Sequence, residues 1–520
     1  MALVTLTDRY SNLNDWPGNL LSASDGVAIG TRSATNFSYT YDAGTRFAGY
    51  TVTSTGTGFA YDGTTPIGGT MSGLTIRDTG GNLVLSVTGI VAGSLASDLS
   101  LFASYEFGWS DPGGGGTGAQ NKNAWSQLLS GNDTYTGTAG DDNRGMVGVD
   151  AGNDVFNMRA GDDVVNGGMG NDTINGGDGW DGLTYSETHW NEGIPMVRGI
   201  TVNAAAGTVL DPYGFADRFT GLEWITGSAF GDVFNGAASA GMNFAGLRGA
   251  DTIKGASDRD WALYGDDAWF GGKRGIVADL ATGTSGTDIL GTIRDGFGNT
   301  DQTINLQSVA GTRYNDTFVG SGQNNVFAGG EGRDSFSGGA GVDQITFNWW
   351  FSDAPQHGII VNLKLATGQI VDDGFGNREN AVSIEDIYGS SNADRITATT
   401  NANWIEAREG DDTMTGGGGV DHFSWRFRSE IGGNDVITDF NAGAGPDRDI
   451  LQLGVGNWGA STILNLVNGT AATAAVSTFI FNAATDVLSW DADGTGAGAA
   501  FDIVTLNGVA ALTAANFVLD

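Results

Sequence analysis

Residues 149–184 repeat with a period of nine. Cut at that interval they read VDAGNDVFN, MRAGDDVVN, GGMGNDTIN and GGDGWDGLT. Gly holds the fourth place (Gly152, Gly161, Gly170, Gly179), Asp the sixth (Asp154, Asp163, Asp172, Asp181), and an apolar residue the eighth (Phe156, Val165, Ile174, Leu183). A fixed period of this kind is the mark of a chain wound as a parallel β-helix. Six residues of Gly/Asn/Asp character form a turn, in which glycine supplies the positive φ that other residues resist. Three residues then form a short strand whose middle side chain points inward, and two such units close one coil.

The spacing also implies a chemistry. One Asp per turn, with backbone carbonyls bared by the glycines, offers an all-oxygen site between successive coils. Ca²⁺ takes roughly 6–8 oxygens in loose geometry and suits such a site. A roll without metal would stack rows of unneutralised Asp that repel one another.

A larger repeat lies over the first. Segments beginning at Gly199 (GITVNAAAG), Gly275 (GIVADLATG) and Gly358 (GIIVNLKLATG) share a plan, and each continues into an aromatic-glycine turn: Asp211-Pro212-Tyr213-Gly214, Asp295-Gly296-Phe297-Gly298 and Asp373-Gly374-Phe375-Gly376. Each then enters fresh nonapeptides. The second copy places Asp316, Asn325, Asp334 and Asp343 nine apart, and the third does the same with Asp394, Asn403, Asp412 and Asp421. The first is looser, with Asp232, Asp251 and Asp260. The candidate calcium residues are therefore Asp154, Gly161, Asp163, Gly170, Asp172, Gly179, Asp181, Asp251, Asp260, Asp316, Asp334, Asp343, Asp394, Asp412 and Asp421. Asn325 and Asn403 lack the charge and mark weak sites or purely structural turns. Asp162 and Asp411, beside ligand positions, are expected to face solvent.

The expected fold is all-β: parallel β-roll (β-helix) solenoid blocks with β insertions, an N-terminal antiparallel β domain and a C-terminal β cap. Residues 1–110 show strand-like alternation (Phe37, Tyr39, Tyr41; Leu99 to Phe107) between Gly/Thr/Asp turns. A Gly-rich linker covers 111–128. The first roll block spans 129–190, with degenerate units at Asp133 and Asp142. Repeat copies follow at 191–274, 275–357 and 358–424, then a C-terminal segment, 425–520. His189-Trp190 and Trp349-Trp350-Phe351 follow the ends of roll blocks and are read as caps of the apolar coil end. His422 is read as a turn or surface histidine.

Asp+Glu 60 against Lys+Arg 24 gives a net charge of −36, which argues against nucleic acid and anionic membranes as partners. With no cysteine, neither disulfides nor thiolate metal sites can form. The first residues lack a cleavable signal peptide, and no apolar run is long enough for a membrane helix.

A resemblance to a family enters at the C-terminal end. Gly433-Asn434-Asp435-Val436-Ile437-Thr438-Asp439-Phe440 and Asp447-Arg448-Asp449-Ile450-Leu451-Gln452-Leu453, with the preceding GGxGxD units, resemble the end of RTX (haemolysin-type calcium-binding repeat) proteins. The tail, with Leu488-Ser489-Trp490-Asp491-Ala492-Asp493-Gly494 and the final Asn516-Phe517-Val518-Leu519-Asp520, is similar to the uncleaved signal read by type I secretion systems of Gram-negative bacteria. The resemblance covers about residues 130–520. It implies multiple Ca²⁺ ions as cofactors, export through the type I apparatus, and an extracellular or cell-surface location where millimolar calcium drives folding.

RTX chains often carry enzymes. A zinc protease motif H-E-x-x-H is absent, since His189, His357 and His422 are followed by Trp, Gly and Phe; no G-x-S-x-G elbow occurs either. The expected role is structural: a self-associating surface layer, filament or matrix protein without enzymatic activity. A calcium-dependent adhesin or lectin for surface polysaccharide is the first alternative, and a polysaccharide-acting enzyme the second.

Overall fold

The computed structural model describes residues 152–186, 196–239, 241–347, 354–431, 433–458 and 463–520, with N-terminal strands at 3–6, 27–32, 36–41, 51–62, 65–77, 83–88 and 134–136. Asp133, Asp142, the 111–128 linker, the Leu99–Phe107 alternation and the two aromatic caps lie outside the described residues. Every described element is a strand or a short 3-10 turn. Among the described residues no helix is long and apolar enough to cross a membrane. The chain divides into two units, Met1–Thr252 and Ile253–Asp520.

The first unit opens with an antiparallel meander. Val27–Arg32, Asn36–Tyr41, Thr51–Asp62, Thr65–Arg77 and Leu83–Thr88 pair in sequence order, and Leu3–Leu6 closes against Leu83–Thr88. The other edge of Leu3–Leu6 pairs in parallel with Thr134–Thr136, which pairs in parallel with Val155–Ala160. Tyr135 stacks on Phe156 at 4.7 Å between ring centroids, so the handover from meander to roll is an aromatic one.

From Val155 the period of nine becomes geometry. Phe156 sits beside Ile174 in one sheet and Val165 beside Leu183 in the other, each pair one two-unit coil apart. All four are buried, as expected of the eighth place. In Thr173–Asp178 the neighbours of Ile174 turn outward, so that strand alternates about one apolar residue.

The larger repeat enters this roll through one sheet only. In the first unit that sheet runs Val155–Ala160, Thr173–Asp178, Ala216–Thr220, Thr208–Leu210, Thr201–Asn203, Val233–Asn235, and only Thr208–Leu210 opposes the rest. The insert thus adds two strands in line with the sheet. The second unit repeats the device: Thr300–Ile304, the reversed Asp288–Arg294, and Val277–Ser285 precede Thr317–Val319, Ser335–Ser337 and Asn380–Val382. The opposite sheet of that unit is parallel throughout, from Trp261–Leu263 and Ser308–Ala310 through Val326–Ala328, Gln344–Thr346, Asp386–Tyr388, Trp404–Glu406, His422–Trp425 and Ile450–Leu453 to Phe517–Leu519. Insertions read from sequence as spacers between roll blocks are therefore strands of one face of the roll, while its other face continues past them.

Phe318 and Phe336 stack at 5.0 Å inside the second unit, with Phe327 against both. At the C-terminal end Phe501–Leu506 joins the roll in parallel, and Val487–Asp491 and Thr478–Asn482 fold back on it antiparallel as a cap. His422 lies in a strand, stacked on Trp404 at 5.1 Å, not in a turn.

Candidate metal sites

The Asp of each turn is buried, and its carboxylate reaches the neighbouring coil. The N–H of Asp154 donates to Oδ1 of Asp172 (2.7 Å) and that of Asp163 to Oδ1 of Asp181 (2.8 Å). The second unit repeats this from Asp316 to Asp334 (2.8 Å), Asn325 to Asp343 (2.8 Å), Asp394 to Asp412 (2.7 Å) and Asn403 to Asp421 (3.0 Å). Asp232 donates likewise to Asp251 (2.7 Å). The sixth place is thus a rung in a vertical acid ladder.

Six of these rungs donate onward to an acid outside any nonapeptide. Asp172 donates to Asp217 (2.9 Å), Asp181 to Glu223 (2.7 Å), Asp334 to Glu379 (2.9 Å) and Asp343 to Glu385 (3.0 Å). Asp412 and Asp421 donate to Asp435 and Asp449, both at 3.0 Å. The nine-residue period cannot reveal these six because intervening residues break it. A signal does exist: Asp217/Glu223 and Glu379/Glu385 are acid pairs six apart, each starting 15 residues before the next rung, Asp232 or Asp394.

An outer row accompanies the inner one. Asp162, exposed, accepts from Trp180 N–H (2.8 Å), and Asp411, also exposed, accepts from Asn434 N–H (2.8 Å). These residues face solvent as expected, and they also tie coils together.

Eight of the rungs sort into two kinds according to the residue four places earlier; Asp421, which follows left-handed Gly417 (φ 107°), joins neither. Before Asp172, Asp181, Asp334, Asp343 and Asp412 stand Gly168 (φ 79°), Gly177 (118°), Gly330 (84°), Gly339 (105°) and Arg408 (76°). A left-handed residue there turns its N–H away, and Oδ2 of each of these five acids is buried and accepts no hydrogen bond. Before Asp232, Asp316 and Asp394 stand Ser228, Thr312 and Ser390. Each gives its N–H to Oδ2 (2.7 Å in all three) and its hydroxyl to Oδ1 (2.9, 3.0 and 2.6 Å). Asn325 and Asn403 sit in the same closed arrangement, facing Ser321 and Thr399. Asp260 takes the N–H groups of Ala256 and Ser257 from its own turn.

An open rung suits a hard cation. A buried carboxylate oxygen without a donor is costly unless a positive charge meets it. Carbonyls come close as well: a Cβ on Gly170 would overlap the carbonyl oxygen of Gly152, and one on Gly179 that of Gly161. Among the described residues no three acidic or histidine side chains converge as a ready-made cluster, so backbone oxygens would complete each shell.

Burial first, then Asp217, pushes Asp172 up to about 8; burial, with Asp435 adding, does the same to Asp412. Burial lifts Asp181 and Asp343 to about 6, where the closed Asp232 and Asp394 also lie. The orphaned oxygen, and not the acidity, separates the two kinds of rung.

Fold and site together define a parallel β-roll whose inter-coil acids are arranged for hard cations. Residues 149–183, 310–345 and 388–423 match the family model of the RTX calcium-binding nonapeptide repeat (4 copies). Over these three stretches the chain carries RTX calcium-binding repeats, and such repeats bind multiple Ca²⁺ ions. Comparison with curated proteins gives no match.

Proposed function

We propose that this RTX protein is exported by a type I system, folds on extracellular calcium and serves a structural, self-assembling role at the cell surface, without enzymatic activity. The observation that carries the reading is the row of buried carboxylates whose Oδ2 atoms lack a donor. At low calcium these rows oppose the folded state, which suits a chain that must stay unfolded for export. At millimolar calcium, sites with Kd of about 10⁻⁴–10⁻³ M fill and add their binding free energy to folding. Small polar residues such as Ser335, Ser337, Thr413 and Thr415, half-buried, flank the buried strand positions and recur along the roll as groups on which copies can stack.

Negative-stain electron microscopy of chelated protein, before and after millimolar calcium, tests this. Sheets or filaments that appear only with calcium support it; discrete particles at every calcium level count against self-assembly. One observation favours the adhesin alternative: Trp269, in the Gly265–Ala268 turn region, is 83% exposed and offers a face on which a sugar ring can stack. Retention on polysaccharide that is lost in Trp269→Ala would favour that role.

A further inference from the structure

Each insert has one residue just before its first glycine and one just before the Asp of its aromatic-glycine turn. In chain order these pairs are Arg198 and Leu210, Arg274 and Arg294, and His357 and Asp372. The third copy shows how close the two positions lie, because His357 Nε2 meets Asp372 Oδ1 at 3.0 Å. The second copy fills both with arginine. A Cβ on Gly298 would stand 3.1 Å from Arg274 Nη1 and 3.9 Å from Arg294 Nη2, so two guanidinium groups converge beside the turn. Both residues are exposed, and among the described residues neither forms an ion pair.

The acids nearby are occupied elsewhere. Asp295, next to Arg294, is buried; its Oδ1 accepts the N–H groups of Phe297 (3.0 Å) and Asn299 (2.6 Å), and its Oδ2 the Asn299 amide (2.9 Å). Asp267 is buried and accepts the N–H of Gly296 (2.8 Å), and buried Asp301 accepts the hydroxyl of Tyr264 (2.8 Å). Only Asp266 of this group is half-exposed. Like charges side by side disfavour one another unless an anion stands between them. The same turn also fixes the preceding loop, since Lys273 N–H donates to the carbonyl of Gly296 (3.0 Å). That loop presents Lys273, exposed, and Trp269, 83% exposed. An indole and three cations thus share one small region of a chain whose net charge is −36.

We propose that this region binds an acidic polysaccharide, with a carboxylate of the glycan between Arg274 and Arg294 and a sugar ring on Trp269. Guanidinium forks match carboxylates in bidentate geometry, and a flat indole offers an apolar face to the ring. The acids elsewhere on the chain do not cancel the site, because at physiological ionic strength exposed charges more than about 8 Å away are largely screened. The arginines alone would serve any anion; the exposed indole beside them selects a sugar. The site rests on the polysaccharide-binding reading and gives it a charge, and it does not depend on self-assembly.

The test titrates the full chain, in millimolar calcium, with a hyaluronate oligosaccharide and with its carboxyl-reduced form, followed by calorimetry. Binding of the acidic form alone, weakening as salt is raised, is the expected result. Arg294→Asp places an acid where the third copy has Asp372, so it is expected to keep the fold and to weaken binding about tenfold or more. Arg294→Gln, which removes only the charge, takes its place should that variant fail to fold. Trp269→Ala is expected to weaken binding as well. Equal binding of the acidic and reduced forms would overturn the assignment while leaving a neutral-sugar adhesin standing; no binding of either would remove both. Unchanged affinity in the Arg294 variants, or inorganic phosphate binding as tightly as the oligosaccharide and indifferent to Trp269→Ala, would also overturn it.

Discussion

Asp172 and Asp316 occupy the same place in the nonapeptide, yet they stand in opposite chemical situations. Asp316 has both oxygens engaged by its own turn and its neighbour: Thr312 N–H and hydroxyl, and the N–H of Ile276. Asp172 follows a left-handed glycine and keeps one buried oxygen without a donor. Asp172 lies in a full GGxGxD turn, Gly167 to Asp172, whereas the turn before Asp316 reads GTRYND and lacks two of the three glycines. An Asp at the sixth place therefore does not fix its own surroundings: the residue four places earlier is left-handed in one case and supplies an N–H and a hydroxyl that do part of a cation's work in the other.

The largest expected effect separates these two kinds of turn. Asp172→Asn with Asp181→Asn should remove about 1–3 kcal/mol of calcium-dependent stability per site at calcium ten- to a hundredfold above Kd. Asp316→Asn with Asp394→Asn should leave that part unchanged, since Asn325 and Asn403 already fill equivalent closed turns. Chemical unfolding with and without chelator measures both, and equal loss of calcium response in the two pairs would erase the distinction.

Acidity gives the next effect. In the metal-free fold Asp172 and Asp412 are raised to about 8 from the usual 3.8. Their proton-linked stability is therefore complete below about pH 4 and lost as pH rises through about 8. Chelated protein should melt at higher temperature at pH 6 than at pH 8, while apparent calcium affinity should rise over the same interval. Calorimetry and calcium titration across that range test both signs, and parallel trends would contradict the reading.

Removing the closing hydroxyl is expected to matter less and without regard to calcium. Thr312→Ala should cost about 0.5–1.5 kcal/mol, equally in calcium and in chelator. A cost that vanished in calcium would show that the turn had opened into a cation site. The smallest expected effect is at Arg159, exposed and held at φ 84° where its neighbours in the pattern have glycine. Arg159→Gly should release about 1–2 kcal/mol of left-handed strain against about 0.5–1 kcal/mol of glycine entropy, for a small net rise in melting temperature.

Much of this architecture was legible in the residues. The period of nine placed Phe156, Val165, Ile174 and Leu183 inward and Asp154 to Asp181 in turns, because a repeat that short leaves one buried position and one acid per unit. Asp217, Glu223, Glu379 and Glu385 were not legible from the period of nine, since they reach the ladder across 42 or 45 residues and not 18; only their matched spacing marks them. The alternation of Gly with Ser or Thr before each Asp was in plain view. Its meaning depends on whether an N–H points toward a carboxylate, which only the folded backbone shows. The inserts concealed their in-line placement for a related reason: one reversed strand among parallel ones carries no distinct sequence pattern.

The acid ladder has a direction. Every inner rung receives its hydrogen bond from a residue nearer the N-terminus, from Asp154 to Asp172 and on to Asp217, and from Asp394 to Asp412 and on to Asp435. Each coil is therefore finished by the one that follows it, and the last rungs are finished locally: Trp425 Nε1 donates to Asp435 and the N–H of Asn441 to Asp449. Within one row the consequences of losing an acid are therefore unequal: without Asp217 the N–H of Asp172 has no acceptor, whereas without the Asp154 side chain the rest of that row keeps its bonds.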